Sequence, residues 1–312
     1  MDKPVLIAAR QFPEPLSKAL AQFGELRLYD ANDPAGVLQG AHLWAGTIMD
    51  PVPSDLIARF PDSLGLIVNL GVGMDNIDLE AAAARGIQVS NTPVVTEDTA
   101  DLAMALLLAT CRRLSSSERL LREGNWAGGA GQLGQRVHGK TLGIVGFGAI
   151  GQAVARRARG FGLKVIYHGP HPKPEEAITT AAEYRESLAA LLGEADIVSL
   201  NCALTAATRH LLNADTLAQL KPGAVVINTG RGPLIHEAAL VDALTSGHLG
   251  GAGLDVFEFE PRVTDALMTF DNVTLLPHIG SATRECRADM AGRFLGNIQA
   301  FLTSGKPLDP CW

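Results

Sequence analysis

Three segments place polar residues where apolar runs end, and together they outline a reaction. "AVVINTGRGPL" delivers Arg231, "AGLDVFEFEP" delivers Asp255, Glu258 and Glu260, and "VTLLPHIGSAT" delivers His278 and Ser281. Reducing a 2-oxo acid needs a cation to hold the carboxylate, a hydride donor, and an acid that protonates the nascent alkoxide. Arg231 can clamp a carboxylate through paired N–H donors and polarise the carbonyl beside it. Histidine titrates nearest to neutrality of all side chains, so His278 can supply the proton. A carboxylate next to the imidazole would keep it protonated and oriented. Each residue alone has a blander explanation. A strand-end histidine is commonly structural, and an arginine after a strand is commonly a surface ion pair. Their joint occurrence at strand ends favours the catalytic reading.

A fourth segment points to the hydride donor. "LGIVGFGAIGQAVARRARGFG" sets Gly146, Gly148 and Gly151 in G-x-G-x-x-G spacing, after an apolar strand and at the start of an amphipathic helix. Gly146 allows the tight turn, Gly148 lets the backbone approach a pyrophosphate, and Gly151 lets helix and strand pack closely. The helix N-terminus then presents N–H groups to the phosphates. In the usual fingerprint an Asp or Glu about 20 residues further on accepts hydrogen bonds from the adenosine ribose. Here that stretch reads "KVIYHGPHPKPE", and the position of the acid is Gly169. Without the carboxylate, the 2′-hydroxyl loses an acceptor and a 2′-phosphate loses a repelling charge. His171 and Lys173 can supply positive charge. NADP(H) is therefore favoured. NAD(H) is the alternative, because the loop has no arginine, the better bidentate phosphate partner.

The elements that must hold these residues follow from the apolar pattern. The first third alternates strand candidates (5–9, 25–30, 42–48, 64–70 and 87–91) with Ala/Leu-rich helical segments. Continuous apolar strands separated by helices indicate a parallel sheet covered on both faces. A long helix is expected over 96–114, with Asp98 and Asp101 near its start and Arg112 and Arg113 at its end, as the helix dipole prefers. "REGNWAGGAGQLGQRVHGKT" reads as an exposed connection. From Thr141 the alternation restarts, with six strand candidates forming a doubly wound unit. A second long helix is expected over 281–305. The fold class is α/β, with two Rossmann-like doubly wound parallel-sheet domains and a cleft between them, where small-molecule sites are common. The expected boundaries are 1–97 plus 285–312 for a flavodoxin-like substrate domain, and 98–284 for the dinucleotide-binding domain. Trp44, Ile48 and Met49 are candidates for setting pocket size.

Composition limits the alternatives. The 312 residues carry a net charge of −7, with 47% hydrophobic and 19% charged residues, as an ordinary globular protein does. A mildly acidic chain argues against nucleic-acid or membrane-surface partners, which favour basic faces. No apolar run approaches the roughly 20 residues of a membrane span, and the N-terminal stretch lacks a signal-peptide pattern. The cysteines (Cys111, Cys202, Cys286, Cys311) lie far apart with no metal-ligand spacing. They read as reduced thiols of a cytoplasmic protein with no metal.

At this point the residues resemble a known family. "NLGVGMDNIDLEAAAARGIQVSNTP", "TADLAMALLLA", "LGIVGFGAIG", "INTGRGPLIHEAALVDAL", "AGLDVFEFEP" and "PHIGSAT" are similar to the D-isomer-specific 2-hydroxyacid dehydrogenases, especially the glyoxylate/hydroxypyruvate and 2-ketogluconate reductases. The resemblance assigns the carboxylate-binding arginine to Arg231, the orienting acid to Glu260 and the proton donor to His278, leaving Glu258 a bystander. It assigns substrate contacts to the backbone N–H groups of Val72 and Gly73, with Ser281 shaping the pocket. Cofactor contacts carry over to Ala149, Ile150, Cys202, Ala203, Thr208, Thr229, Gly230, Arg231 and Asp255. "LNCALT" departs from the His and Pro of many members. The resemblance implies a homodimer, with the helix from 96 and the segment around Trp126 at its interface. Other readings keep the fold but change the substrate to phosphoglycerate, formate or phosphite, or make the chain a dinucleotide-sensing corepressor.

Overall fold

Strand order identifies each of the two compact units of this computed structural model, which describes residues 3–311. The chain changes unit after Val95 and again after Ser281. The unit formed by the two chain ends contains β1 (Val5–Ala8), β2 (Glu25–Leu28), β3 (Ala41–Thr47), β4 (Leu66–Leu70) and β5 (Gln88–Ser90). They pair in the order β2-β1-β3-β4-β5, all parallel. Successive side chains alternate across the sheet. Leu6, Leu43, Leu66 and Val68 accordingly pack with Phe294 and Ile298 of the helix Arg284–Ser304, while Ile7, Trp44 and Ile67 pack with Ile57 and Phe60 on the other face. Trp44 is 2% exposed and makes ring contacts with Tyr29 and Phe60. It is core, and the expectation that it helps set a pocket is corrected.

The other unit contains β6 (Thr141–Val145), β7 (Lys164–His168), β8 (Ala182–Tyr184), β9 (Ile197–Leu200), β10 (Ala224–Asn228), β11 (Leu249–Leu254) and β12 (Val273–Leu275). The order is β12-β11-β10-β9-β6-β7-β8, parallel throughout. The winding reverses between β6 and β9, the switch point beyond which ligands bind in doubly wound sheets. The sheet has one strand more than expected. β8 is a short edge strand with Glu183 exposed at its centre, so it carries no apolar run to betray it.

Two further expectations are corrected. The long helix stops at Cys111, and Arg113 turns left-handed (φ 52°) before a separate helix, Leu114–Arg122. The Gln135 N–H donates to the Cys111 carbonyl at 2.6 Å, and Gly134 crosses so close that a Cβ there would lie 2.6 Å from the same oxygen. A chain segment passing over the helix end is a tertiary event with no local signal. The glycine-rich connection also contains a helix, Trp126–Gly131, capped by the Asn125 side chain on the Gly128 N–H. Among the described residues no helix is long and apolar enough to cross a membrane, and no His/Cys/Asp/Glu group is arranged to hold a metal ion.

Candidate active site

The histidine is held from its backbone outward. Asp255 follows directly on β11 and is 1% exposed. Its Oδ1 accepts the Ile279 N–H at 2.7 Å and its Oδ2 the Gly280 N–H at 2.8 Å, while its carbonyl accepts the His278 N–H at 2.8 Å. One residue thus fixes the whole turn and holds His278 at φ 54°. Burial pushes the Asp255 carboxyl above its ordinary range, against the Ile279 N–H, the His278 charge and the Gly280 N–H. Both carboxylate oxygens are engaged by this turn, so the direct work of Asp255 is to shape it.

Glu260 orients the imidazole. Its Oε2 accepts from His278 Nδ1 at 2.9 Å, and its Oε1 accepts the Phe257 N–H at 2.9 Å. A carboxylate can only accept, so Nδ1 carries the hydrogen and Nε2 is the ring nitrogen that Glu260 leaves unbonded. Burial alone would raise the Glu260 carboxyl. The His278 hydrogen bond, the Phe257 N–H and the charges of His278 and Arg231 outweigh it and hold the group below its ordinary value. A depressed carboxylate stabilises the fold above its unfolded value, about 4.3, and that contribution is lost as pH falls through the folded value. Thermal unfolding measured from pH 6 down to about 3 should therefore show Glu260→Gln losing less Tm on acidification than the parent chain. Parallel curves would mean that the ionised pair contributes nothing to stability.

Arg231 sits just beyond β10, at the start of the short turn Gly232–Leu234. Its Nη1 donates to the Gly230 carbonyl at 3.0 Å, and its charge reaches Glu260. Sequence reasoning missed the residue beneath it. Asn228 is fully buried; its Oδ1 accepts the Gly230 N–H at 3.0 Å and its Nδ2 donates to the Arg231 carbonyl at 2.9 Å. Its own carbonyl accepts the Asp255 N–H at 3.0 Å, joining the arginine turn to the end of β11. The available signal was a polar residue inside a strand buried on both faces. Ser281 is half-buried at the end of the histidine turn, and no hydrogen bond links it to His278.

The glycine turn fits a dinucleotide. Gly146 adopts φ 92°, and a Cβ there would come within 2.5 Å of the Cys202 nitrogen. A Cβ on Gly151 would strike the Gly146 carbonyl, whereas one on Gly148 would meet only open space. The turn is thus closed against the protein and open at Gly148, where a phosphate must approach. Gly148 caps the helix Ala149–Gly160, so the Ala149 and Ile150 N–H groups have no acceptor within the helix. Cys202 lies against the turn, and burial pushes its thiol up to about 11, which leaves it unreactive at neutral pH. Ala203 accepts the Thr208 hydroxyl at 2.7 Å, shaping the following loop. The buried Thr229 hydroxyl has no protein partner among the described residues.

Gly169 follows β7, and a Cβ added there would approach only the Phe147 nitrogen, at 4.0 Å. The missing carboxylate is therefore not excluded by crowding. His171 and Lys173 are exposed beside it, and the Lys173 ammonium stands 4.0 Å from Glu176, at the limit of an ion pair.

The loop "GVG" belongs to the other unit. Gly71 adopts φ 139° and its N–H donates to the Thr92 hydroxyl at 2.9 Å. The Val72 carbonyl accepts from Asn91 at 2.9 Å and the Gly73 carbonyl from Asn69 at 2.8 Å. With the carbonyls fixed, the Val72 and Gly73 N–H groups donate to no protein acceptor among the described residues. Asn69 and Asn91 were also missed from sequence.

The sequence profile described as "D-isomer specific 2-hydroxyacid dehydrogenase, NAD binding domain" matches residues 104–280. Glyoxylate reductase of Thermococcus litoralis is 43% identical over 318 residues, spanning 98% of this chain and 96% of the relative. The crystal structure of a glyoxylate reductase from Paecilomyes thermophila superposes with a TM-score of 0.93 at 36% identity, covering 100% of this chain and 99% of that one. An NADPH-dependent glyoxylate/hydroxypyruvate reductase from Sinorhizobium meliloti, in complex with NADP and malonate, gives a TM-score of 0.92 at 37% identity, covering 99% and 97%. On the profile, the identity and the coverage together, this chain belongs to the D-isomer specific 2-hydroxyacid dehydrogenase family.

Proposed function

We propose that this chain reduces small 2-oxo acids, glyoxylate and hydroxypyruvate, to D-2-hydroxy acids, with NADPH preferred over NADH. The observation that carries the reading is the His278–Glu260 pair at 2.9 Å under the charge of Arg231, at strand ends of a dinucleotide-binding fold. Arg231 holds the substrate carboxylate, and in the other unit the N–H groups of Val72 and Gly73, which have no protein acceptor among the described residues, are donors suited to an anion. His278 delivers a proton from Nε2 to the carbonyl oxygen, while Glu260 keeps the ring oriented. Ser281 borders the pocket. Gly146, Gly148, Gly151, Ala149 and Ile150 hold the pyrophosphate, with Cys202, Ala203, Thr208, Thr229, Gly230 and Asp255 bordering the rest of the dinucleotide. A reduced nicotinamide held there supplies the hydride. His171 and Lys173 would supply positive charge to a 2′-phosphate, for which Gly169 would leave room. The exposed Trp126 and Leu133 support a homodimer.

The test is a set of initial rates with glyoxylate and hydroxypyruvate, each cofactor titrated to saturation. A kcat/KM ratio of about 10 or more for NADPH is expected, equivalent to about 1.4 kcal/mol in the transition state. Gly169→Asp should erode or reverse that ratio, since the site has room for the carboxylate. A parent enzyme favouring NADH would reduce His171 and Lys173 to spectators. No turnover with either cofactor would overturn the substrate assignment.

A further inference from the structure

Glu258, which reads in the sequence as a bystander, is buried in a polar network outside the reacting groups. The Glu258 side chain is 6% exposed. Its Oε2 accepts the Glu237 N–H at 3.0 Å, and its own N–H donates to Glu237 Oε1 at 2.6 Å. Each glutamate thus uses its carboxylate to hold the other's backbone. The second Glu237 oxygen takes the Thr264 hydroxyl, and the second Glu258 oxygen takes His210 Nε2 at 2.5 Å. Arg209 lies 3.7 Å from Glu258, and His236 packs edge-on against His210. Buried carboxylates need such compensation. Burial would raise the Glu258 carboxyl, but the Glu237 N–H together with the bond and charge of His210 hold it below its ordinary value.

This network joins two particular stretches of chain. Glu237 begins the helix that follows the Arg231 turn, and Glu258 lies two residues before Glu260. The two backbones touch between them: a Cβ on Gly232 would lie 2.5 Å from the Glu258 nitrogen and would collide with the Phe257 carbonyl. We propose that the reciprocal Glu237–Glu258 pair, closed by His210, is a clasp that sets the spacing between Arg231 and the Glu260–His278 pair, making Glu258 a positioning residue for the reduction. The inference rests on the function proposed above. Carboxylate clamp and proton donor must act on one small molecule, so their separation is what the reaction is most sensitive to, and a misplacement of about 1 Å can cost on the order of 10²-fold.

The test is a kinetic double-mutant cycle on the full chain. Glu258→Ala should lower kcat/KM for glyoxylate on the order of 10²-fold, mainly through kcat, with the KM for NADPH unchanged. Glu258→Gln should fall less far, because its amide oxygen still accepts the Glu237 N–H, and it carries the test if the alanine variant does not fold. In a Glu260→Gln background, removing Glu258 should add less than about threefold, since both act through one group. Multiplicative losses in the cycle would make Glu258 merely structural and overturn the clasp. So would wild-type kinetics for Glu258→Ala alongside an inactive His278→Gln. Wild-type turnover by His278→Gln would instead remove His278 from the proposed reaction, and the clasp would fall with it.

Discussion

His278→Gln is expected to lower kcat/KM for glyoxylate reduction about 10³-fold, within the range that general acid catalysis contributes. The loss should appear in kcat, because the proton moves in the transition state and the imidazole adds little to ground-state binding. Glutamine keeps a polar side chain beside Glu260 but offers no ring nitrogen that can give up a proton at neutral pH. The turn itself should survive, because it is held by Asp255 through the backbone N–H groups of residues 278–280. Dinucleotide affinity, read by quenching of protein fluorescence or by calorimetry, should therefore stay close to that of the parent. A variant that still turns over within tenfold of the parent would remove His278 from the reaction.

Arg231 should be nearly as costly to lose, in a different way. Two charge-assisted hydrogen bonds, each about 1.5–3 kcal/mol, correspond to a fall of roughly 10²–10⁴-fold in kcat/KM for Arg231→Gln. A clamp that grips the carboxylate before and during the reaction raises KM as well as lowering kcat, which separates this variant from His278→Gln. Arg231→Lys should recover only part of the loss, since an ammonium restores the charge but not the planar pair of donors. The Glu260 carboxyl should also rise towards its ordinary range when the guanidinium is removed, because Arg231 is among the groups that hold it down. An Arg231→Lys enzyme with the parent KM would show that charge alone suffices.

The parts of the fold that could be read from sequence share a physical cause. Strands buried on both faces of a parallel sheet are continuous apolar runs, so β4, β9 and β10 announce themselves. β8 does not, because an edge strand of three residues with Glu183 facing solvent has nothing to repeat. The break after Cys111 is set by a segment crossing from residues 134–135, which no local propensity records. In the site, Arg231 and His278 stood out because each is a charged or titratable side chain at the end of an apolar run, whereas Glu260 was singled out from Asp255 and Glu258 by the family resemblance. Asn228, Asn69 and Asn91 did not stand out, because what they contribute is hydrogen bonding to backbone atoms distant in sequence or in an adjoining turn. The contacts of Glu258 were not legible for a related reason. Its partners His210 and Glu237 are distant in sequence, and the family resemblance assigned the orienting role to Glu260 alone.

The backbone of His278 has a further consequence. At φ 54° a residue with a Cβ sits in a conformation that costs about 1–2 kcal/mol relative to the right-handed region, and that glycine occupies freely. The proposed proton donor is thus placed where the chain would be better served by another residue. Thermal selection acting alone on this enzyme would drift towards glycine or asparagine at 278 and lose the reaction as it gained stability. Laboratory evolution for heat tolerance therefore has to screen for turnover at every round, because the turn that aims the imidazole is also a place where the molecule can relax.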